Sequence, residues 1–370
     1  MKQERVAFLF LGETLLIPHL YPIVEALAAL DPNVAIDLWV STSLHEAMLG
    51  GWAAALPAHV RVRRAPGFRH VSARDGVNPA LPPKLPMLLR LAPRLVRVPV
   101  VVCAEQTSLW LPTLLPLRAR FVKTSHGVGS MSARDDRRRR AAWRTLVPSE
   151  RERRTYLDRG MAPERIVATG YVKAGFRQRT GTTPVFAEPR PILLYNPHWQ
   201  AHRSSWWRWG PEVVRRVLAD GRWNLIFAPH QRLVEGAPEV RALCAELAGR
   251  GDVLCDYESF AAVDGSYPAA ADIYLGDTSS QLLEFLTTPR PCLFLDAHGV
   301  SWQGDPSYAM WACGDVVNTL DALLPALDQA PVRHGRYAAV QAELVADSLG
   351  DTSGDAPARA AGEVLRALRG

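Results

Sequence analysis

This sequence predicts an α/β protein built from two Rossmann-like domains that face a central cleft. Three observations carry that prediction. At 370 residues the chain exceeds what one core commonly organises and fits two domains. Short apolar, β-branched runs alternate with helical patterns, which is how doubly wound parallel sheets read in sequence. The alternation occurs twice, on either side of a stretch rich in Thr, Gly and Pro.

The first series fills residues 1–177. Buried parallel strands are expected at Val6–Leu11, Ala35–Val40, Val60–Arg63, Val98–Cys103, Phe121–Thr124, Thr145–Val147 and Ile166–Thr169, with helices including Ile17–Leu30 and Ser149–Arg159. The opening Val6–Leu11 follows a charged start and superficially resembles a signal peptide. Glu13 interrupts the apolar stretch and no small-residue cleavage site follows, so a first strand is the better reading. Residues 178–190 read as the linker. The second series, 191–345, places strands at Ile192–Tyr195, Leu225–Ala228, Val253–Cys255, Ile273–Leu275 and Cys292–Leu295, with helices at Pro211–Ala219 and Pro238–Ala248 among them. Residues 346–370 form a tail with a helix at Pro357–Leu368.

A hydrophobic fraction of 48% is ordinary for a globular chain and argues against disorder. No apolar run reaches the roughly 18 residues that a spanning helix needs. The net charge of +6 rests on arginine, notably Arg134, Arg137–Arg140, Arg144, Arg151, Arg153 and Arg154. Such a cluster is either a solvated helical face partnered by Asp135, Asp136, Glu150 and Glu152, or a surface drawn to an anionic membrane at roughly 1 kcal/mol per basic residue. Nucleic acid is not expected as a partner, because no aromatic-interleaved sheet, helix-turn-helix pattern or zinc module accompanies the charge. Leu81–Arg97 mixes leucines with Lys84, Arg90, Arg94 and Arg97, yet its prolines argue against one long amphipathic helix. Its leucines either pack on the sheet or, with the cations, supply interfacial surface. The five cysteines are scattered without metal-ligand spacing, and Cys103, Cys255 and Cys292 sit in apolar strand contexts as reduced core residues. A cytoplasmic location follows, with peripheral attachment at the inner membrane face as the alternative.

Candidate chemistry gathers at strand ends. Ile273–Leu275 runs into Gly276, Asp277, Thr278, Ser279 and Ser280 and then an apolar-periodic helix, whose unpaired N–H groups suit an anion such as phosphate. The plainer alternative is that Asp277 or Thr278 only caps the helix. Phe121–Thr124 leads into Ser125-His-Gly-Val-Gly129, where His126 has the right pKa range for a general base and Gly127 permits close approach of a ligand. Asn196 and His198 end one strand of the second series, and His230 and Arg232 end the next; each can meet a phosphate, ribose or base. The run Trp206-Trp207-Arg208-Trp209 reads first as helix packing. A zinc site at His198 and His202 lacks the glutamate and helix that such a motif requires.

The ordered set of His126-Gly127, Val147-Pro-Ser149, Thr169-Gly-Tyr171, Tyr195–Trp199, Ala228-Pro-His230 and Ala271-Asp…Gly276–Ser280 resembles CDP-glycerol glycerophosphotransferases. These are bacterial envelope enzymes of the teichoic-acid primase and polymerase type. The resemblance spans roughly residues 120–310, and Val128, Gly129 and Ser130 stand where the family usually has Thr-Pro and a lysine. It implies a GT-B-like fold, His126 as catalytic base, and His230, Thr278, Ser279 and Ser280 on the donor pyrophosphate. The expected reaction moves a phosphoglycerol-like group from CDP-glycerol, or another nucleotide-activated donor, to a hydroxyl of a lipid-linked saccharide acceptor and releases CMP. No Asp-x-Asp element is present, so no metal or cofactor is expected. Three alternatives share or adjoin this reading: a nucleotide-sugar glycosyltransferase, a GT-B sugar-nucleotide epimerase using Glu13 or Glu105, and a non-enzymatic envelope-assembly protein.

Overall fold

A computed structural model describes residues 4–72, 79–125, 137–180 and 184–370. The chain divides into two compact units, one formed by Met1–Gln178 with Ala346–Gly370 and the other by Arg179–Val345.

In the first unit, seven strands form one parallel sheet: β1 (Arg5–Phe10), β2 (Ala35–Thr42), β3 (Val60–Arg69), β4 (Val100–Cys103), β5 (Arg120–Thr124), β6 (Arg144–Val147) and β7 (Ile166–Ala168). Their order is β3-β2-β1-β4-β5-β6-β7, so the winding reverses between β1 and β4. β1, β2 and β4 are almost wholly buried, as strands covered by helices on both faces must be. The helix Lys84–Leu95 forms despite its prolines. Pro86 lies in the first turn, where a backbone N–H has no intrahelical partner to lose, and Pro93 stands near the other end. Met87, Leu88, Leu91 and Leu95 are buried in the core with Leu9, Val101 and Phe121. Of the two readings of these leucines, packing on the sheet holds for most, and Leu89 and Val96 remain exposed.

Residues 346–370, expected as a separate tail, belong to this unit. The helix Ala356–Arg369 buries Ala360, Ala361, Val364 and Ala367 and packs on the helix Tyr21–Leu30. Polar links fix it: Arg120 donates to the Ala367 carbonyl at 2.9 Å, and Arg144 pairs with Glu363.

The second unit has a six-stranded parallel sheet: β8 (Ile192–Asn196), β9 (Asn224–Phe227), β10 (Val253–Cys255), β11 (Ile273–Gly276), β12 (Cys292–Leu295) and β13 (Asp315–Val317). The order β10-β9-β8-β11-β12-β13 again reverses in the middle, between β8 and β11. Leu193, Tyr195, Phe227, Leu275 and Leu293 form its core with Val213, Val214 and Val217 of the helix Trp206–Asp220. Trp206 is fully buried and stacks on Phe227 at 5.4 Å, whereas Trp207 is exposed, so the tryptophan run is mainly packing. Cys103 and Cys292 are buried as expected, but Cys255 is only half-buried. Among the described residues no helix is long and apolar enough to cross a membrane.

Candidate functional site

In an open α/β sheet a crevice lies beyond the strand C-termini where the winding reverses. In the second unit that point falls between β8 and β11, and three polar links tie its turns together. Gly276 pairs in register with Asn196, and a Cβ there would meet the Asn196 carbonyl at 2.9 Å, so close approach of the two strand ends requires glycine. Asn196, buried, donates through Nδ2 to the Ala228 carbonyl at 2.5 Å and draws in the end of β9. Asp277 is fully buried. It accepts from the backbone N–H of His198 at 2.8 Å and, through both oxygens, from that of Ser205 at 3.0 and 3.1 Å. Burial pushes its carboxyl up to about 7, against the opposing pull of those N–H groups. Asn196 and Asp277, read from sequence as donor-binding, thus direct their side chains to the protein.

The remaining residues of the β11 turn divide. Ser279, not Asp277 or Thr278, caps the following helix, accepting from the Gln281 N–H at 3.2 Å. Thr278 Oγ1 is buried without a hydrogen-bond partner among the described residues, and Ser280 is exposed.

At the ends of β8 and β9 stand two histidines prepared alike. His198 Nδ1 accepts from the Gln200 N–H, and His230 Nδ1 accepts from the Arg232 N–H, both at 3.1 Å. A neutral ring that accepts through Nδ1 carries its proton on Nε2, and neither Nε2 has a partner among the described residues. Burial, chiefly, pushes both down to about 4; His230 and Arg203 add to the effect on His198, and Arg232 to that on His230. Both are therefore neutral N–H donors at pH 7. Trp199 lies beside them, its ring centroid 5.8 Å from that of His198 and 6.3 Å from that of His230. The exposed Arg232 guanidinium sits 5.1 Å from the Trp199 ring centroid. Two directed N–H donors, a guanidinium and an aromatic face together suit an anion joined to a planar group. His202, by contrast, is exposed and outside this set. The roles of Ser205 and of the Trp199 ring escaped the sequence reading; the Ser204-Ser205 pair just before a helix was the available signal.

The first unit's reversal point, between β1 and β4, is also polar. Glu105 is buried with its carboxylate against Gly12, 2.6 Å from Lys84 Nζ, and accepts from Thr107 Oγ1 at 3.0 Å. Lys84 also donates to the Leu11 carbonyl at 2.6 Å. Nearby His45, pushed down to about 4 mainly by burial, shares a 2.7 Å bond with Thr42. Glu13 is exposed. His126 and Gly127 lie outside the described residues. The strand leading to them, β5, carries buried Lys123, which burial lowers to about 8, and Ser125 beyond it donates to Glu152 at 3.2 Å.

Two mostly parallel sheets covered by helices are a GT-B-like fold, and comparison with solved structures agrees. The chain is similar to the wall teichoic acid polymerase TagF soaked with CDPG, at 13% identity and a TM-score of 0.66, covering 100% of this chain and 90% of that one. It is similar to UDP-GlcNAc 2-epimerase from Neisseria meningitidis bound to UDP-GlcNAc, at 11% identity and a TM-score of 0.63, over 98% and 99% of the two chains. S. aureus MnaA with UDP matches at 13% identity and a TM-score of 0.62, over 96% and 94%. No protein-family model and no curated protein matches by sequence.

Proposed function

We propose that this protein is a transferase that takes a phosphoglycerol-like, or related alditol phosphate, group from a CDP-activated donor. The acceptor is a hydroxyl of a lipid-linked envelope saccharide. The observation that carries the reading is the pair of neutral imidazoles at the ends of β8 and β9, each fixed through Nδ1 so that Nε2–H is left as a donor. With Arg232 and the free Thr278 hydroxyl they suit a diphosphate, and Trp199 offers a face for a base. The similarity to TagF, a polymerase described with CDPG, supports the donor class.

In this mechanism His126 accepts the proton of the attacking hydroxyl as its oxygen bonds to phosphorus. The bond from that phosphorus to the CMP oxygen breaks, and CMP departs with the electron pair. The N–H donors of His198 and His230 already surround the charge that builds on the leaving phosphate, so little reorganisation is required. The test is CMP release from CDP-glycerol in the presence of a saccharide acceptor. His126→Ala should slow it about 100-fold, the scale of a general base; an unaltered rate contradicts the assignment.

A second reading, epimerisation of a UDP-sugar, is favoured by one observation: Glu105, a buried carboxylate at the C-terminal end of β4 beside Gly12. It requires a new sugar signal by proton NMR when UDP-N-acetylglucosamine is supplied, lost in Glu105→Gln. A spectrum that stays constant while CMP is released from CDP-glycerol decides for transfer.

A further inference from the structure

At the β12–β13 edge of the second sheet lies an open cavity of about 500 Å³, a volume usual for a small-molecule site. It is lined by none of the residues gathered around His198 and His230. The chain that joins the two strands builds its walls. Asp296, directly after β12, is buried and accepts from the backbone N–H groups of His298, Gly299 and Val300 at 3.2, 2.7 and 3.1 Å, which fixes a tight turn. Trp302 follows that turn. Asp305 then caps the short helix Pro306–Cys313, accepting from the Ser307 N–H at 2.8 Å, and that helix carries Trp311. Trp311 is buried at 2% exposure, stacks on Phe294 of β12 at 6.4 Å and meets Trp302 edge to face at 6.0 Å. Two indole rings held by their neighbours therefore line the cavity.

The polar lining is anionic or neutral: Asp296, Asp315, Gln303, Asn318 and Tyr337, with no lysine, arginine or histidine among the described residues. A phosphate or nucleotide finds no cation there. Both carboxylates are satisfied within the chain, Asp296 by its three N–H groups and Asp315 by Arg333 at 3.1 Å and the Tyr337 hydroxyl at 2.6 Å. Neither calls for a cationic ligand. The groups left unspent are neutral. Gln303 and Asn318 are exposed and their amides have no partner among the described residues, and neither has the Trp311 indole N–H. An amide donates and accepts at once, and an indole offers an N–H at its edge and an electron-rich face. A sugar ring complements that set: its C–H face lies against an aromatic ring, and its hydroxyls, donors and acceptors together, pair with amides.

We infer that the cavity at the β12–β13 edge binds a neutral saccharide, seated against Trp302 and Trp311 and bonded at its hydroxyls by Gln303 and Asn318. The loop that supplies Trp302 is tied to the chain that follows β8. Arg208 donates to the Ala297 carbonyl at 2.9 Å, and His298 Nε2 donates to the Ser204 carbonyl at 3.0 Å. A sugar held here shares a unit with the strand-end histidines. Its binding uses none of them, so the inference stands whether or not the CDP-donor reading holds.

The test is saturation-transfer NMR on the full chain with glucose, galactose, N-acetylglucosamine and the disaccharides maltose, cellobiose and diacetylchitobiose. At least one sugar should receive saturation, strongest at the C–H protons of one ring face, and should keep it when inorganic phosphate or tetramethylammonium is added. Trp302→Ala, at a half-buried loop position, should weaken that binding about tenfold. Gln303→Ala with Asn318→Ala, both on the surface, should weaken it by a similar factor. Circular dichroism verifies that each variant is folded. No transfer to any of these sugars, or equal transfer to the native chain and to both variants, overturns the inference. Displacement by tetramethylammonium would make the cavity a cation site instead. A sugar signal lost in His198→Gln/His230→Gln but kept in Trp302→Ala would place the sugar at the strand-end histidines and likewise overturn it.

Discussion

Between β1 and β4 the crevice of the first sheet is occupied by the protein's own groups. Glu105 rests on Gly12, Lys84 neutralises it at 2.6 Å, and the Lys84 ammonium is further satisfied by the Leu11 carbonyl. Between β8 and β11 the corresponding position of the second sheet is arranged otherwise. Asn196 and Asp277 bind backbone groups and so fix the turns, while His198, His230, Thr278 and Arg232 keep donors unspent. Opposite charges pair in the one site, where Glu105 Oε1 and His45 Nε2 keep no partner among the described residues. On the proposed reading, neutral imidazoles with a single exposed cation suit the other to an anion. On that reading, the same winding reversal holds an ion pair in one unit and a binding surface in the other. What differs is that a buried ion pair stands in the first unit and neutral imidazole donors in the second.

Removing a partner breaks this comparison most severely in the first unit. Lys84→Ala leaves Glu105 buried without its cation and should cost about 3–5 kcal/mol, measured by urea unfolding. Nucleotide affinity of the folded fraction should hold. A loss below roughly 1 kcal/mol would mean that water already screens the pair, as at surface ion pairs.

Asp277→Ala comes next. It strips the acceptor from the His198 and Ser205 N–H groups and should destabilise by about 1–3 kcal/mol. Unlike Lys84→Ala it should also weaken nucleotide binding, since it loosens the turn that carries His198. Stability lost with binding intact would make Asp277 a support for the core and nothing more.

Much of this fold was legible in the sequence because parallel strands buried on both faces leave short, apolar runs such as Val100–Cys103 and Cys292–Leu295. β13 was not, since only Val316 and Val317 are apolar between Asp315 and Asn318, too few to register as a run. The helix Lys84–Leu95 was obscured by prolines whose cost depends on their place in the helix, which composition does not reveal. At the site, the strand-end histidines and the Gly276–Ser280 turn stood out by position. The roles of Asn196 and Asp277 did not. Their partners lie 32 and 79 residues away, and only the folded sheet decides whether an amide or carboxylate meets a ligand or a distant N–H.

A further expected effect concerns pH. His198 and His230 sit near 4 in the folded chain against 6.5 when free, so the unfolded chain takes up protons first on acidification. Their contribution is present above about 6.5 and lost as pH falls towards 4. Asp277 runs the other way: raised from 3.8 to about 7, it favours the folded chain at low pH and less as pH rises through that window. Replacing both histidines by glutamine should therefore reduce the stability lost between pH 6.5 and 4, read from urea midpoints. Parallel curves for the native and substituted chains would place both rings in solvent.

Calorimetric titration of CDP into the native chain, the His198→Gln/His230→Gln variant and Glu105→Gln tests most directly whether the open site is the one between β8 and β11. CDP should bind the native chain and Glu105→Gln alike. It should bind the double histidine variant at least about tenfold more weakly, the loss of roughly 1.4 kcal/mol expected when hydrogen bonds to a charged group are removed. Equal affinity for the native and histidine-substituted chains, with binding lost in Glu105→Gln, would contradict the account.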